Sequence, residues 1–301
     1  MRRAISTPAL LLLAALMAPC AAHAAAQTVT AINGVGLIDY HDKPEFKVGS
    51  WVKYRVTSAS ALGMTDDYTV TVAFCGEERF WGDDCFWIES VTEPAVGSPS
   101  AIATLMSYAI FEDSLAFPHM QYYIRKTCSE IDELGNPVPV VGKRPPETLI
   151  KRDRKERNIH WYIDTLGTDT VRTLRGQFFC QKVQIRQAIG ASTDQGDSTL
   201  YTEVREVRDS YISERVPLTR IVREDIDYSF RRKKWMIGRS QDAPENLMEH
   251  ATGRAELVEF GTGYQPSLVP ATFQRTIKAQ ERANAAPTAI PRRKTAARKS
   301  G

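Results

Sequence analysis

From about residue 50 onward the chain alternates apolar and polar residues, the two-residue period of a half-buried β-strand. Trp51–Thr57 places Val52, Tyr54 and Val56 on one side and Trp51, Lys53 and Arg55 on the other. In Asp67–Cys75, Tyr68, Val70, Val72 and Phe74 share a face, and Phe86 and Ile88 of Cys85–Val91 match it. The polar stretch Gly76–Asp84 between them predicts a hairpin with a long turn. Further strands are expected at His119–Lys126, Thr168–Leu174, Phe178–Gln187, Ser198–Val207, Arg208–Ile212, Thr219–Phe230, Lys234–Ile237 and Arg254–Phe260. Turn residues cluster over Gly190–Asp197.

One segment departs from this period. Ser98 is a good N-cap and Pro99 suits the first helical position. Ile102, Leu105, Met106, Ala109 and Ile110 then recur at helical spacing. Pro99–Glu112 is therefore expected to be a helix, apolar nearly all round and needing cover on several sides. One helix among many antiparallel strands predicts an α+β fold, in which a single curved sheet forms a half-barrel with the helix packed against it.

The start of the chain sets its compartment. Arg2 and Arg3, the run Ala9–Ala18 and the small residues Ala21–Ala26 form a secretory signal peptide, expected to be cleaved after Ala24 or Ala26. The run is too short for a membrane span, which needs about 20 residues. Pro19 argues against lipidation at Cys20, and the arginine pair lacks the flanking pattern of a twin-arginine signal. The expected organisation is a signal at 1–26, an extension at 27–45, a β-rich domain at 46–265 and a disordered basic tail at 266–301. The protein is expected in the periplasm or secreted. The net charge of +3 resides at the two ends, so the body is acidic. The Lys278–Lys299 tail could tether the protein to an anionic envelope surface, and Lys151–Arg157 is a second basic cluster. Nucleic acid is not expected as a partner of an exported chain.

Export also recasts the cysteines. Cys75, Cys85, Cys128 and Cys180 remain after cleavage, and an even set outside the cytoplasm reads as two disulfides. Placing Cys75 opposite Cys85 sets Phe74 against Phe86, Val72 against Ile88 and Thr71 against Glu89. That leaves Cys128 to pair with Cys180. The spacing does not suit a metal site, and no cofactor is expected. No G-x-S-x-G, H-E-x-x-H, P-loop or G-x-G-x-x-G motif occurs. Carboxylate pairs such as Asp66-Asp67, Glu77-Glu78 and Asp83-Asp84 fall in turn-like positions. No catalytic residue is expected.

Four stretches together carry a resemblance: Val48–Arg55, Gly176–Cys180, Tyr211–Leu218 and Glu256–Gly261. In this order they resemble bacterial envelope proteins akin to the outer-membrane lipoprotein carrier (LolA-like) group, over about residues 46–263. The resemblance implies a half-barrel whose apolar concave face is covered by helices and holds a lipid-like or other apolar ligand, with no catalytic set. On that reading Tyr54, Tyr68, Val70, Phe74, Met106, Ile110 and Tyr122 line the ligand site. The alternatives are an envelope scaffold binding a protein or anionic polymer, and a hydrolase without a known motif.

Overall fold

The computed structural model describes residues 37–38, 43–61, 63–112, 120, 122–142, 158–236 and 245–270. The expected signal peptide, Cys20, the Lys151–Arg157 cluster and the Lys278–Lys299 tail lie outside them.

Among the described residues eleven strands form one antiparallel sheet. They are β1 Trp51–Ser60, β2 Thr65–Phe80, β3 Asp83–Pro94, β4 Ser100–Ser107, β5 Ile124–Cys128, β6 Val140–Val141, β7 Asn158–Thr173, β8 Gly176–Gln195, β9 Ser198–Ile212, β10 Ile221–Met236 and β11 Asn246–Gly261. The spatial order is β6-β5-β4-β3-β2-β1-β11-β10-β9-β8-β7. The first six strands meander outward from β1, and the last five meander back to close on it. The sheet is open, with β6 and β7 at its edges. It also curls: β7 comes back against β10 and β11, although β8 and β9 lie between in the hydrogen-bonded order. A flat sheet would hold β7 and β10 about 14 Å apart.

The expected helix at Pro99–Glu112 does not form, so the fold class is all-β rather than α+β. Its first part is strand β4, and only Tyr108–Glu112 turns helical, as a short 3-10 segment. The reason lies in the all-round apolarity of the segment. As a strand it sends Ala103 and Leu105 into one cluster and Met106 into another on the opposite face. Both faces are covered, so alternation uses every apolar residue. The remaining strand boundaries mostly lengthen. Ser198–Val207 and Arg208–Ile212 are one strand, as are the two segments within Ile221–Met236.

The hairpin register also differs. The turn is the two residues Trp81 and Gly82, both at positive φ (53° and 86°), the type I′ arrangement that suits strand twist. Phe80 then faces Asp83 and Glu78 faces Cys85. Cys75 is the extra residue of a bulge, beyond which Phe74 faces Ile88 and Val72 faces Ser90. This is two positions from the expected pairing. A two-residue shift preserves the face, so Val72, Phe74, Phe86 and Ile88 still share one cluster.

The shift separates the cysteines. Three residues of strand, roughly 10 Å, lie between Cys75 and the position opposite Cys85. A disulfide needs Cα atoms within about 7 Å. Cys128 belongs to the cluster with Trp87 and Leu105, whereas Cys180 belongs to the main cluster. The two expected disulfides are therefore absent, and all four cysteines are free and buried. Burial pushes all four thiols up, that of Cys85 to about 11. Native protein is expected to leave these thiols unreacted with a disulfide reagent at pH 8, and denatured protein to release four equivalents. Two or fewer after denaturation without reductant would contradict this register.

The main cluster gathers Val52, Tyr54 and Val56 of β1 with Tyr68, Val70, Val72 and Phe74 of β2 and with Phe86, Ile88 and Met106. Phe46 covers it, stacked 4.8 Å from Phe74 and 5.1 Å from Phe86. Leu37 and Ile38, in the expected extension, are buried here too. The Tyr54 hydroxyl donates to the Ile221 carbonyl at 2.6 Å and also bonds Thr219, tying β1 to the entry of β10. Tyr54→Phe is expected to lower stability by about 1–2 kcal/mol in chemical denaturation, with the slope m unchanged.

Candidate functional site

Cross-strand partners share a face, so the register sorts the sheet into two surfaces. Val183, Ser210, Glu224, Ala255, Val56 and Tyr68 form one transverse row on the core face. Gln184, Asp209, Asp225, Arg254, Thr57 and Asp67 form the adjacent row on the opposite face. That second row carries the candidate site. It borders a cavity of about 570 Å³ across β8–β11 and β1, whose lining also includes Ala59, Val207, Asp227, Thr252 and Gly253. The cavity opens as a trough, with methyl and methylene surface between charged groups.

Each trough carboxylate has a partner. Arg254 Nε donates to Asp225 Oδ1 at 2.5 Å, and Arg223 Nε lies 3.1 Å from Asp225 Oδ2. Lys182 lies 2.8 Å from Asp209, which also accepts from Gln184 at 2.7 Å. His250 lies 3.2 Å from Asp227. Burial raises the Asp209 carboxyl, but the hydrogen bonds from Lys182 and Gln184 outweigh it and hold it below the usual range. The hydrogen bond to Asp225 raises the Arg254 guanidinium in turn. The pairs that hold Asp209 and Asp225 are fixed ion pairs, suited to binding a ligand's polar groups. Among the described residues no three His, Cys, Asp or Glu side chains gather as a metal site.

The core face behind the trough holds a second charged group. Arg208 is buried among Glu206 and Glu224, with Arg208 Nη1 at 3.3 Å from Glu224. Ser210 donates to Glu224 at 3.0 Å and Gln187 to Glu206 at 3.0 Å. Burial pushes the Glu224 carboxyl up despite Arg208 and Ser210. This network fixes the register of β8, β9 and β10 from beneath the trough.

Of the seven residues expected to line a ligand site, Tyr54, Tyr68, Val70, Phe74, Met106 and Ile110 meet in the main cluster, none more than 9% exposed. They pack on one another. Tyr122 is half-buried outside that cluster, and its carbonyl accepts from Arg125 at 2.8 Å. The trough residues were not expected from the sequence. Their signal is faint: Glu206-Val207-Arg208-Asp209-Ser210 puts charge on both faces of one strand, which an ordinary solvated edge does not require.

No family model matches the chain, and no curated protein matches its sequence. Three solved structures are similar to it at low levels. A protein of Bacteroides fragilis described as exported, with a YmcC-like fold, has 13% identity and a TM-score of 0.28, covering 73% of this chain and 98% of its own. A Parabacteroides distasonis protein described as a lipoprotein has 12% identity and a TM-score of 0.28, covering 73% and 100%. A LolA superfamily protein of Nitrosomonas europaea has 10% identity and a TM-score of 0.24, covering 78% and 96%. Similarity at this level assigns neither family nor ligand. Among the described residues no helix is long and apolar enough to cross a membrane.

Proposed function

We propose that this chain is an exported, non-catalytic binding protein that holds an amphipathic ligand in the trough across β8–β11 and β1. The observation that carries the reading is the 570 Å³ cavity itself, bordered by an in-register row of paired polar side chains. The apolar cluster around Tyr54 and Phe74 is filled by its own side chains, so the ligand's place moves from that cluster to the opposite face. The apolar part of the ligand rests on Val207, Ala59 and the threonine methyls, and its polar part meets the charged row. Pockets of this size, with a few placed polar groups, are the usual form of small-ligand sites.

Mass spectrometry of organic extracts from protein purified from envelope fractions tests this. Wild type is expected to yield a bound amphiphile. Thr252→Trp, which fills the trough from an exposed position, is expected to yield about a tenth as much. Repeated absence of any amphiphile from wild type, or equal recovery from the variant, overturns the reading.

A further inference from the structure

The two edges of the sheet are built differently. β6 is two residues long, and Pro137 and Pro139 just before it have no N–H to offer, so little unpaired backbone is presented there. β7 is sixteen residues long, holds neither proline nor lysine, and among the described residues pairs with β8 alone. Its far end is held inward. Val171 is buried in the main cluster, and the Arg175 guanidinium, just past the strand, stands 5.4 Å from the Phe260 ring of β11. Residues 162–170, in contrast, are all exposed, with Tyr162 60% and Leu166 50% open to solvent. A long edge without proline or lysine, carrying exposed aromatic and aliphatic side chains, is a template for another strand.

This edge also complements itself. The register with β8 shifts between Thr165 and Gly167, so the regular run is residues 158–165. Two copies paired antiparallel across a two-fold axis keep the same face upward, and opposed residues share a face. Their residue numbers therefore sum to an even value. A sum of 324 places Tyr162 opposite itself on the axis and sets His160 opposite Asp164 twice, all on the trough face. A sum of 322 or 326 sets Asp164 against Asn158 or Tyr162, and 328 sets it against its own copy. Asp164 lies 3.4 Å from Arg186, with both side chains about half-exposed, so its carboxylate has room for a second donor. His160 is exposed too, and an imidazole N–H can supply that bond.

We infer that β7 is a dimerisation edge: two copies of this chain pair antiparallel through residues 159–165 about Tyr162, and their sheets join into one. The occupant is a second copy rather than a foreign strand because the polar pattern about Tyr162 matches its own inversion. The pairing is short, so the dimer is weak and reversible, with Kd about 10 µM. It does not depend on what the trough binds.

Sedimentation velocity on protein purified from envelope fractions, between about 1 and 100 µM, tests this. Wild type is expected to pass from monomer to dimer over that range. Asp164→Lys removes both acceptors and is expected to weaken the dimer about tenfold. Adding His160→Asp reverses each pair and is expected to restore affinity to within about threefold of wild type, which a misfolded strand could not do. Cross-linking reads the register. Tyr162→Cys lies on the axis, where opposed Cα atoms are about 4.5–5.5 Å apart, and mild oxidation is expected to give a covalent dimer. Asp164→Cys stands roughly 13 Å along the strands from its copy and is expected to give none. The native cysteines are buried and add little background. A wild type that stays monomeric throughout, a dimer that Asp164→Lys leaves intact, or equal cross-linking at the two positions overturns the inference.

Discussion

Glu89→Ala is expected to lower stability by about 3–5 kcal/mol and to free the segment after β11. Glu89 is fully buried on β3, opposite Ala73 on one side and Ala103 on the other. The two alanines leave room above the sheet, and the chain at 264–270 fills it. The Glu89 carboxylate accepts from the Tyr264 hydroxyl at 2.9 Å, the Ser267 hydroxyl at 2.8 Å, the Ser267 amide at 3.0 Å and the Leu268 amide at 2.8 Å. Leu268 and Val269 are then buried beside Trp87 and Leu105. Removing the carboxylate leaves several buried donors without an acceptor, and that desolvation exceeds the value of any one bond. At about 2–4 °C per kcal/mol for a domain of this size, Tm should fall by roughly 10 °C. Glu89→Gln keeps one acceptor oxygen and is expected to cost about half as much. Limited proteolysis should cut 264–270 in either variant well before the wild type. An unchanged Tm with unchanged protection would show that this segment is not held by Glu89.

Arg208→Met should cost a similar amount, about 3–5 kcal/mol, because it strands Glu206 and Glu224 without their shared cation in a buried site. Its dependence on pH identifies the cause. The Glu224 carboxyl is raised above its ordinary 4.5 in the folded protein. Between the unfolded and folded values the folded state holds the proton and the unfolded state has lost it. The stability this group contributes is therefore full below about pH 4.5 and is lost as pH rises through the folded value. Removing Arg208 deletes a charge that favours ionised Glu224, so the loss with rising pH should steepen in Arg208→Met. Arg208→Met with Glu224→Gln should recover part of the cost and flatten the slope. A cost for Arg208→Met that does not vary between pH 4 and pH 7 would contradict a charge-based role.

Much of the sheet was legible because alternation is a local property. Val52, Tyr54 and Val56 of β1, and Tyr68, Val70, Val72 and Phe74 of β2, declare their face within one strand. Pro99–Glu112 misled because its apolar residues satisfy both helical and strand spacing, and only tertiary cover on both faces decides between them. The cysteine pairing failed at the turn: a two-residue turn at Trp81 and Gly82 sets Glu78, not Cys75, opposite Cys85, and the bulge at Cys75 then moves the register by one residue, which nothing local announces. The trough was not legible at all. Gln184, Asp209, Asp225, Arg254 and Thr57 come from five strands across almost two hundred residues of sequence, and each alone looks like an ordinary solvated polar residue. Only the order β1-β11-β10-β9-β8 brings them into one row. Glu89 was equally hidden, since its partners lie some 175 residues away in the chain.

On the proposed reading a ligand occupies the trough and not the apolar cluster on the other face. Methyl-resolved NMR with octyl glucoside tests it most directly. Thr57, Val207 and Thr252 methyls should shift on addition of the amphiphile, while Val70, Val72 and Ile110 stay in place. Shifts concentrated on Val70, Val72 and Ile110, with Thr57, Val207 and Thr252 unmoved, would contradict it.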